Sequence, residues 1–210
     1  SYLPYFQGQT ILGHYKVAQR SGEIAATLGA LGHLARIRWT DTGSYCALLK
    51  IRAGITVSAA VTTATELALR AIVVRGFSVD FTTAITNISM TGAANTNKLR
   101  ASMGASRMGT AGPGICTTAV LSGQTLTADS APFAMATYPM LTPTNSTGTA
   151  VALPVGAGVQ MATLYECTNY EHPVTLSAQE GVVIQPVLAG PGSGTIAVYV
   201  EWTWAEVLAL

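Results

Sequence analysis

The chain has 210 residues, enough for one ordinary domain whose core needs neither disulfide nor metal to hold it. Its 11 basic and 10 acidic side chains leave a net charge of +1, which gives no general attraction to nucleic acid or anionic lipid, and no apolar run reaches the ~18 residues a membrane-spanning helix requires. Charged residues are 10% of the chain and hydrophobic ones 49%, with a mean hydropathy of +0.38. A typical soluble protein is roughly 25% charged, so the chain is expected to hide much of its surface against copies of itself or partner proteins.

The opening segment SYLPYFQGQT has no basic stretch leading into an apolar core, so a secretory signal is not expected. It carries three aromatics, Tyr2, Tyr5 and Phe6, around Pro4, which favours an extended path. Residues 1–20 are expected to form an N-terminal arm and residues 21–210 a single β-sandwich domain. Tyr2, Leu3, Tyr5 and Phe6 are the arm's candidate contacts with a neighbouring subunit.

Gly22 to Leu34 is compatible with a short helix, although its glycines count against one. Leu34 to Thr40 alternates, with Ala35, Ile37 and Trp39 opposite Leu34, Arg36 and Arg38, and Asp41-Thr-Gly43 reads as a turn. Cys46 to Ala59 alternates again, setting Ile51, Ala53, Ile55, Val57 and Ala59 against Lys50, Arg52, Thr56 and Ser58. Two strands joined by a short polar loop suggest a hairpin. Thr62 to Ala71 has helix formers but runs into the β-rich Ile72 to Phe81, so a strand is expected from about Leu69 to Phe81, with room for one helical turn before it and a bulge or bend at Gly76.

Thr82 to Gly114 is rich in Thr, Ala, Asn, Ser and Gly and reads as a long excursion. It holds Lys98, Arg100 and Arg107 with no acid near them in sequence, which makes these three cations candidates for meeting a partner surface or solvent. Asn87-Ile-Ser89 and Asn145-Ser-Thr147 match the N-glycosylation pattern, which chance explains in a chain made in the cytosol. Strands are expected at Ile115 to Leu121, Val159 to Cys167, Val174 to Leu176, Gly181 to Leu188 and Thr195 to Trp204. Between the last two, Ala189 to Gly194 reads as a hairpin turn. In the final strand Ile196, Val198, Val200, Trp202 and Trp204 share one face. Eight or so short strands with this punctuation imply an all-β fold: an antiparallel β-sandwich, jelly-roll-like, with long loop excursions.

Motifs that carry chemistry are missing. There is no G-x-S-x-G, and Ser193 lies between glycines in a turn rather than between a strand and a helix. His14, His33 and His172 are isolated, and Cys46, Cys116 and Cys167 are odd in number and far apart, so no metal, disulfide framework or cofactor is expected. Glycine-rich stretches such as Gly109 to Gly114 match neither the phosphate-binding nor the dinucleotide pattern. Asp80, Glu166, Glu171, Glu180 and Glu201 read as scattered carboxylates rather than a catalytic pair. Trp39, Trp202 and Trp204 suit packing better than a sugar-stacking platform. An enzyme is not expected.

Several pieces together resemble a group of structural proteins from tailed-bacteriophage virions: Ala18-Gln-Arg-Ser-Gly22, Arg36-Ile-Arg-Trp-Thr-Asp41, the strand Leu49 to Val61, Glu171-His-Pro-Val-Thr-Leu176, Ala178-Gln-Glu-Gly-Val-Val-Ile184 and Val198-Tyr-Val-Glu-Trp202. The resemblance covers both ends of the chain and leaves out about Thr82 to Val159. It implies a virion component, a β-sandwich that forms a homotrimer and decorates or cements a capsid. Its partners would be copies of itself and other virion proteins such as the major capsid protein, with no nucleic acid and no membrane. It would be made in the host cytoplasm and reside in the virion. The alternative is a tail or head-fibre component, or a module of the virion that binds host glycans.

Overall fold

The computed structural model describes residues 11–59, 65–91, 98–99, 103–140, 161–168, 171–190 and 193–208. Its strands are β1 (Ile11–Arg20), β2 (Ile24–Ala25), β3 (Ala35–Trp39), β4 (Tyr45–Ala59), β5 (Thr65–Val79), β6 (Ile85–Asn87), β7 (Gly114–Cys116), β8 (Thr125–Ala128), β9 (Ala134–Met140), β10 (Ala162–Glu166), β11 (Val174–Leu176), β12 (Glu180–Pro186) and β13 (Thr195–Val207). They form two antiparallel sheets. One runs β1-β13-β4-β10, with β11 also on β4 and β2 also on β13; the other runs β6-β7-β3-β12-β5-β8, with β9 also on β5. The fold is an all-β sandwich.

Its pairing is nested. β1 pairs with β13, β3 with β12, β4 with β10 and β11, and β5 with β8 and β9. The first half of the chain therefore meets the second half in reverse order, as in one long hairpin. Rolling that hairpin up adds the pairs β4·β13 and β5·β12, which gives a jelly-roll connection between the two sheets.

Nesting overturns two local expectations. β3 and β4 are not a hairpin, because β3 joins β12 and β7 in one sheet while β4 joins β13, β10 and β11 in the other. The turn after Trp39 carries the chain between layers and is fixed there by the Trp39 Nε1–H bond to the Ser44 carbonyl (2.8 Å) and by the Ser44 hydroxyl donating to the Asp41 carboxylate. β12 and β13, expected to be joined as a hairpin through Ala189 to Gly194, likewise belong to different sheets. Ile11–Arg20, expected as part of an arm, is a full strand paired along β13 from Val207 to Tyr199. Gly22 to Leu34 holds the short β2 and a turn in place of a helix, and the strand expected from Ile115 to Leu121 is confined to β7 with one further bridge at Leu121. The long strand starts earlier than expected, at Thr65, and the helical turn allowed before it falls partly on residues 60–64, outside the described ones.

Alternation places the core. Ile196, Val198, Val200, Trp202 and Trp204 are all fully buried, as are Trp39, Ile37 and Ala35. In β4 the pairing slips between Thr203–Lys50 and Trp204–Leu48, leaving Leu49 as an extra residue. That bulge changes the parity of β4, so that Ile51 and Leu48 both face inward against Trp202 and Trp204. The register also shifts between Val74 and Gly76, where a bulge or bend was expected at Gly76. At Gly181 a Cβ would run into the Ile37 carbonyl and press on the Phe77 ring, so only glycine fits between these strands.

Although Lys98 bridges Tyr15 of β1 in the other sheet, the strands of the excursion after β5 return to the sheet of β5. β6 and β7 extend that sheet beyond β3, so the chain crosses from β5 to the opposite edge and returns to β8. Asn87, Gly114, Arg36, Val183 and Ile72 then lie opposite one another across five strands. Arg36 is completely buried in that row.

Candidate assembly surface

Of the residues expected to meet a partner, Tyr2, Leu3, Tyr5, Phe6 and Arg100 lie outside the described residues. Lys98 and Arg107 are brought to the same end of the sandwich. Lys98 forms an antiparallel bridge with Tyr15 of β1, and the Leu99 N–H donates to the His14 carbonyl at 3.0 Å. These two residues add a short extra rung beside β1, which borders its sheet. Leu99 is 55% exposed next to the half-buried Lys98.

Arg107 is not without an acid, as its sequence neighbourhood suggested. Its guanidinium lies 3.3 Å from Asp41, and its backbone N–H donates to both carboxylate oxygens of Glu206, at 3.2 and 3.1 Å. The Ser44 hydroxyl and Arg107 together hold the Asp41 carboxyl below the usual carboxylate range. Glu206 is fully buried, and burial pushes its carboxyl up. It faces inward because it keeps the parity of Trp202 and Trp204, a signal present in the sequence once the alternation is carried two residues past Trp204.

A second surface escaped the sequence reading. The loop between β2 and β3 is tied to the one between β12 and β13 by bonds from Leu31 N–H to the Pro186 carbonyl (3.3 Å), Gly190 N–H to Leu28 (2.8 Å) and Ala26 N–H to Gly194 (2.9 Å). Leu31 and Leu188 project from these loops, 52% and 57% exposed. Leu31 also adopts φ +72°, a left-handed conformation that is costly for a side chain of its size. Neither 24–34 nor 186–194 contains an Asp, Glu, Lys or Arg, so this tip is apolar and uncharged. It sits beside the start of β13, whereas Lys98 and Arg107 gather near its end. The two surfaces are thus separated by the length of a 13-residue strand, about 40 Å.

Between these ends, the outer face of the β1-β13-β4 sheet is covered by charges that satisfy one another. Glu201 lies 3.1 Å from Lys16 and 3.8 Å from Arg52, and Glu166 lies 2.9 Å from Lys50. Arg20 donates to the Tyr199 hydroxyl at 3.0 Å and stacks over its ring. The remaining acids considered for chemistry are also engaged separately: Asp80 with Arg36, Glu180 with Arg75 and the Ser177 N–H, and Glu171 with the Thr168 N–H. Asn87 is occupied too, its side-chain oxygen accepting from Arg36 at 2.8 Å.

The three tryptophans are fully buried and form no exposed platform. His33 packs against Phe81, with ring centroids 4.9 Å apart, and burial lowers its pKa. The three cysteines are buried free thiols. Among the described residues no three of His, Cys, Asp and Glu converge on a point where a metal ion could sit, and no helix is long and apolar enough to cross a membrane. No protein-family model matches the chain, and no curated protein sequence matches it.

Proposed function

We propose that the chain is a structural subunit of a tailed-bacteriophage virion, a capsid decoration or cement protein that stabilises the particle by packing as a homotrimer on the major capsid protein. The observation that carries this reading is the uncharged loop tip with Leu31 and Leu188 exposed. A leucine strained into φ +72° and left in water costs stability in an isolated molecule, and burial against a second protein surface would recover part of that cost. The overall charge content of 10% supports the same reading, as does the resemblance of both chain ends to virion structural proteins. The alternative of a host-glycan-binding module draws no support from the tryptophans, which are all in the core.

The test is direct. Light scattering at micromolar concentration should give three times the 21.7 kDa chain mass, and an image of the particle at low resolution should place the copies on the head. A stable monomer that does not bind capsids lacking it would overturn the proposal. Binding to a glycan array by a monomer would favour the alternative.

A further inference from the structure

Three loops, not two, are locked together at the uncharged end of the sandwich. Besides the bonds between the β2–β3 and β12–β13 loops, the Leu121 N–H of the 117–123 segment donates to the His33 carbonyl at 2.8 Å. Gly32 lies so near Val120 that a Cβ would come within 2.8 Å of its Cγ1, and a Cβ on Gly190 would run into the Ala26 carbonyl. Leu31 and Leu188 therefore project from a base that is already ordered, and covering them costs little further ordering.

Residues 117–123, like 24–34 and 186–194, contain no Asp, Glu, Lys or Arg. The other exposed positions are small or carry a hydroxyl, among them Thr27, Ala30, Thr118, Ala119 and Ala189. His33 is half-buried, and burial lowers its pKa, so it is neutral at pH 7. Glu23, the residue before β2, lies 3.9 Å from Arg20, and the pair adds no net charge.

We propose that this three-loop tip is where copies of the chain meet one another around a rotation axis, with the Lys98 and Arg107 end, about 40 Å off, away from that axis. The inference rests on the homotrimer proposed above and assigns its contact. Rotational symmetry sets every residue near the axis beside its own equivalents, so any charge there would face a like charge. A surface of leucines, small residues and neutral polar groups meets its own copy without that repulsion. A different protein imposes no such condition, because it can offer the opposite charge to whatever it meets. The absence of both signs from all three loops thus favours a second copy of this chain over the capsid as the tip's partner.

The test exploits the same symmetry. Leu188→Asp and Leu188→Lys alter a side chain 57% exposed in the single chain, so each should keep the parent's circular dichroism. By sedimentation each should fall from three times the 21.7 kDa chain mass to one, and an equimolar mixture of the two should give a larger species than either alone, since opposite charges then meet. A second pair of variants does not depend on breaking the contact. With a short bifunctional maleimide, Leu188→Cys should link copies and Leu99→Cys should not, the three native thiols being buried. The tip contact is overturned if either charged variant keeps the parent's mass, if the mixture stays as small as its components, or if Leu99→Cys links and Leu188→Cys does not. A monomeric parent overturns it together with the homotrimer. A Leu188→Asp protein that stays trimeric but no longer binds capsids lacking it overturns the tip contact and leaves the virion role standing. A parent that associates through the tip yet ignores such capsids upholds the contact and overturns the virion role.

Discussion

Arg36 and Asp80 are joined by two parallel bonds, Nε to Oδ1 at 2.8 Å and Nη2 to Oδ2 at 2.5 Å, across the outer side of the β3-β12-β5 sheet. The guanidinium is fully buried and also donates to Asn87 Oδ1 and the Gly112 carbonyl, so one side chain joins β3, the end of β5, β6 and the approach to β7. Burial lowers the Arg36 pKa, and Asp80 opposes that. A charge in this position is tolerated only because its partners surround it.

Asp80→Ala should therefore cost about 3 to 5 kcal/mol, because it leaves a buried guanidinium without its carboxylate. The double variant Arg36→Met/Asp80→Ala should be more stable than Asp80→Ala alone, and the coupling is read from a double-mutant cycle in urea. An Asp80→Ala protein that melts like the parent would show that Asn87 and Gly112 suffice to hold the arginine.

Glu206 links stability to pH with the opposite sign from an ordinary surface carboxylate. Its folded pKa is raised, so its contribution is fully present below the unfolded value near 4.5 and is lost as pH rises through the folded one. Relative to Glu206→Gln, the parent should lose melting temperature across that interval. Asp41 acts the other way at lower pH: its pKa is depressed, so its contribution is present above about 3.8 and is lost as pH falls through the folded value. Melting curves of both single variants against pH separate the two.

Trp202 and Glu201 are neighbours on opposite faces of β13. Trp202→Ala removes a fully buried ring and should cost about 3 to 5 kcal/mol. Glu201→Ala releases Lys16 and Arg52, both substantially exposed, and should cost about 1 kcal/mol or less. Trp202 Nε1 has no hydrogen-bond partner among the described residues, so Trp202→Phe should be much milder than Trp202→Ala. Denaturant midpoints give the order, and its reversal would mean that the faces of β13 are inverted.

Leu31→Gly should raise the stability of the isolated chain, since glycine adopts φ +72° without strain. The same change should weaken assembly if the loop tip is a contact, and Leu188→Asp should weaken it further. Sedimentation of both variants, alongside their melting temperatures, reads the two effects separately. A gain in stability with unchanged assembly would remove this tip from the interface.

The sequence made the faces of the strands legible but not their partners. Alternation from Ile196 to Trp204 put the correct side chains in the core, since period-two burial is a local property. Which strand lies beside which is decided over the whole chain length, so β3 and β4 looked like a hairpin although Ser44, Asp41 and Trp39 fix a crossing between layers. The burial of Arg36 was hidden for the same reason: its partners lie 44 and 51 residues away. Glu206 was readable from parity, and it was missed because the expected strand stopped at Trp204.

The nested pairing also sets the order in which the molecule can be completed. β13 lies between β1 and β4, with Val200 opposite both Gln19 and Ala53. Because it is synthesised after both, the emerging chain carries two long strand edges with an empty lane between them until β13 arrives. Neither edge can be capped early, and each is a template for any β13 within reach, including one from another molecule. The rate of this last insertion relative to the rate at which chains encounter one another therefore decides whether β13 ends in its own sandwich or in a neighbour's.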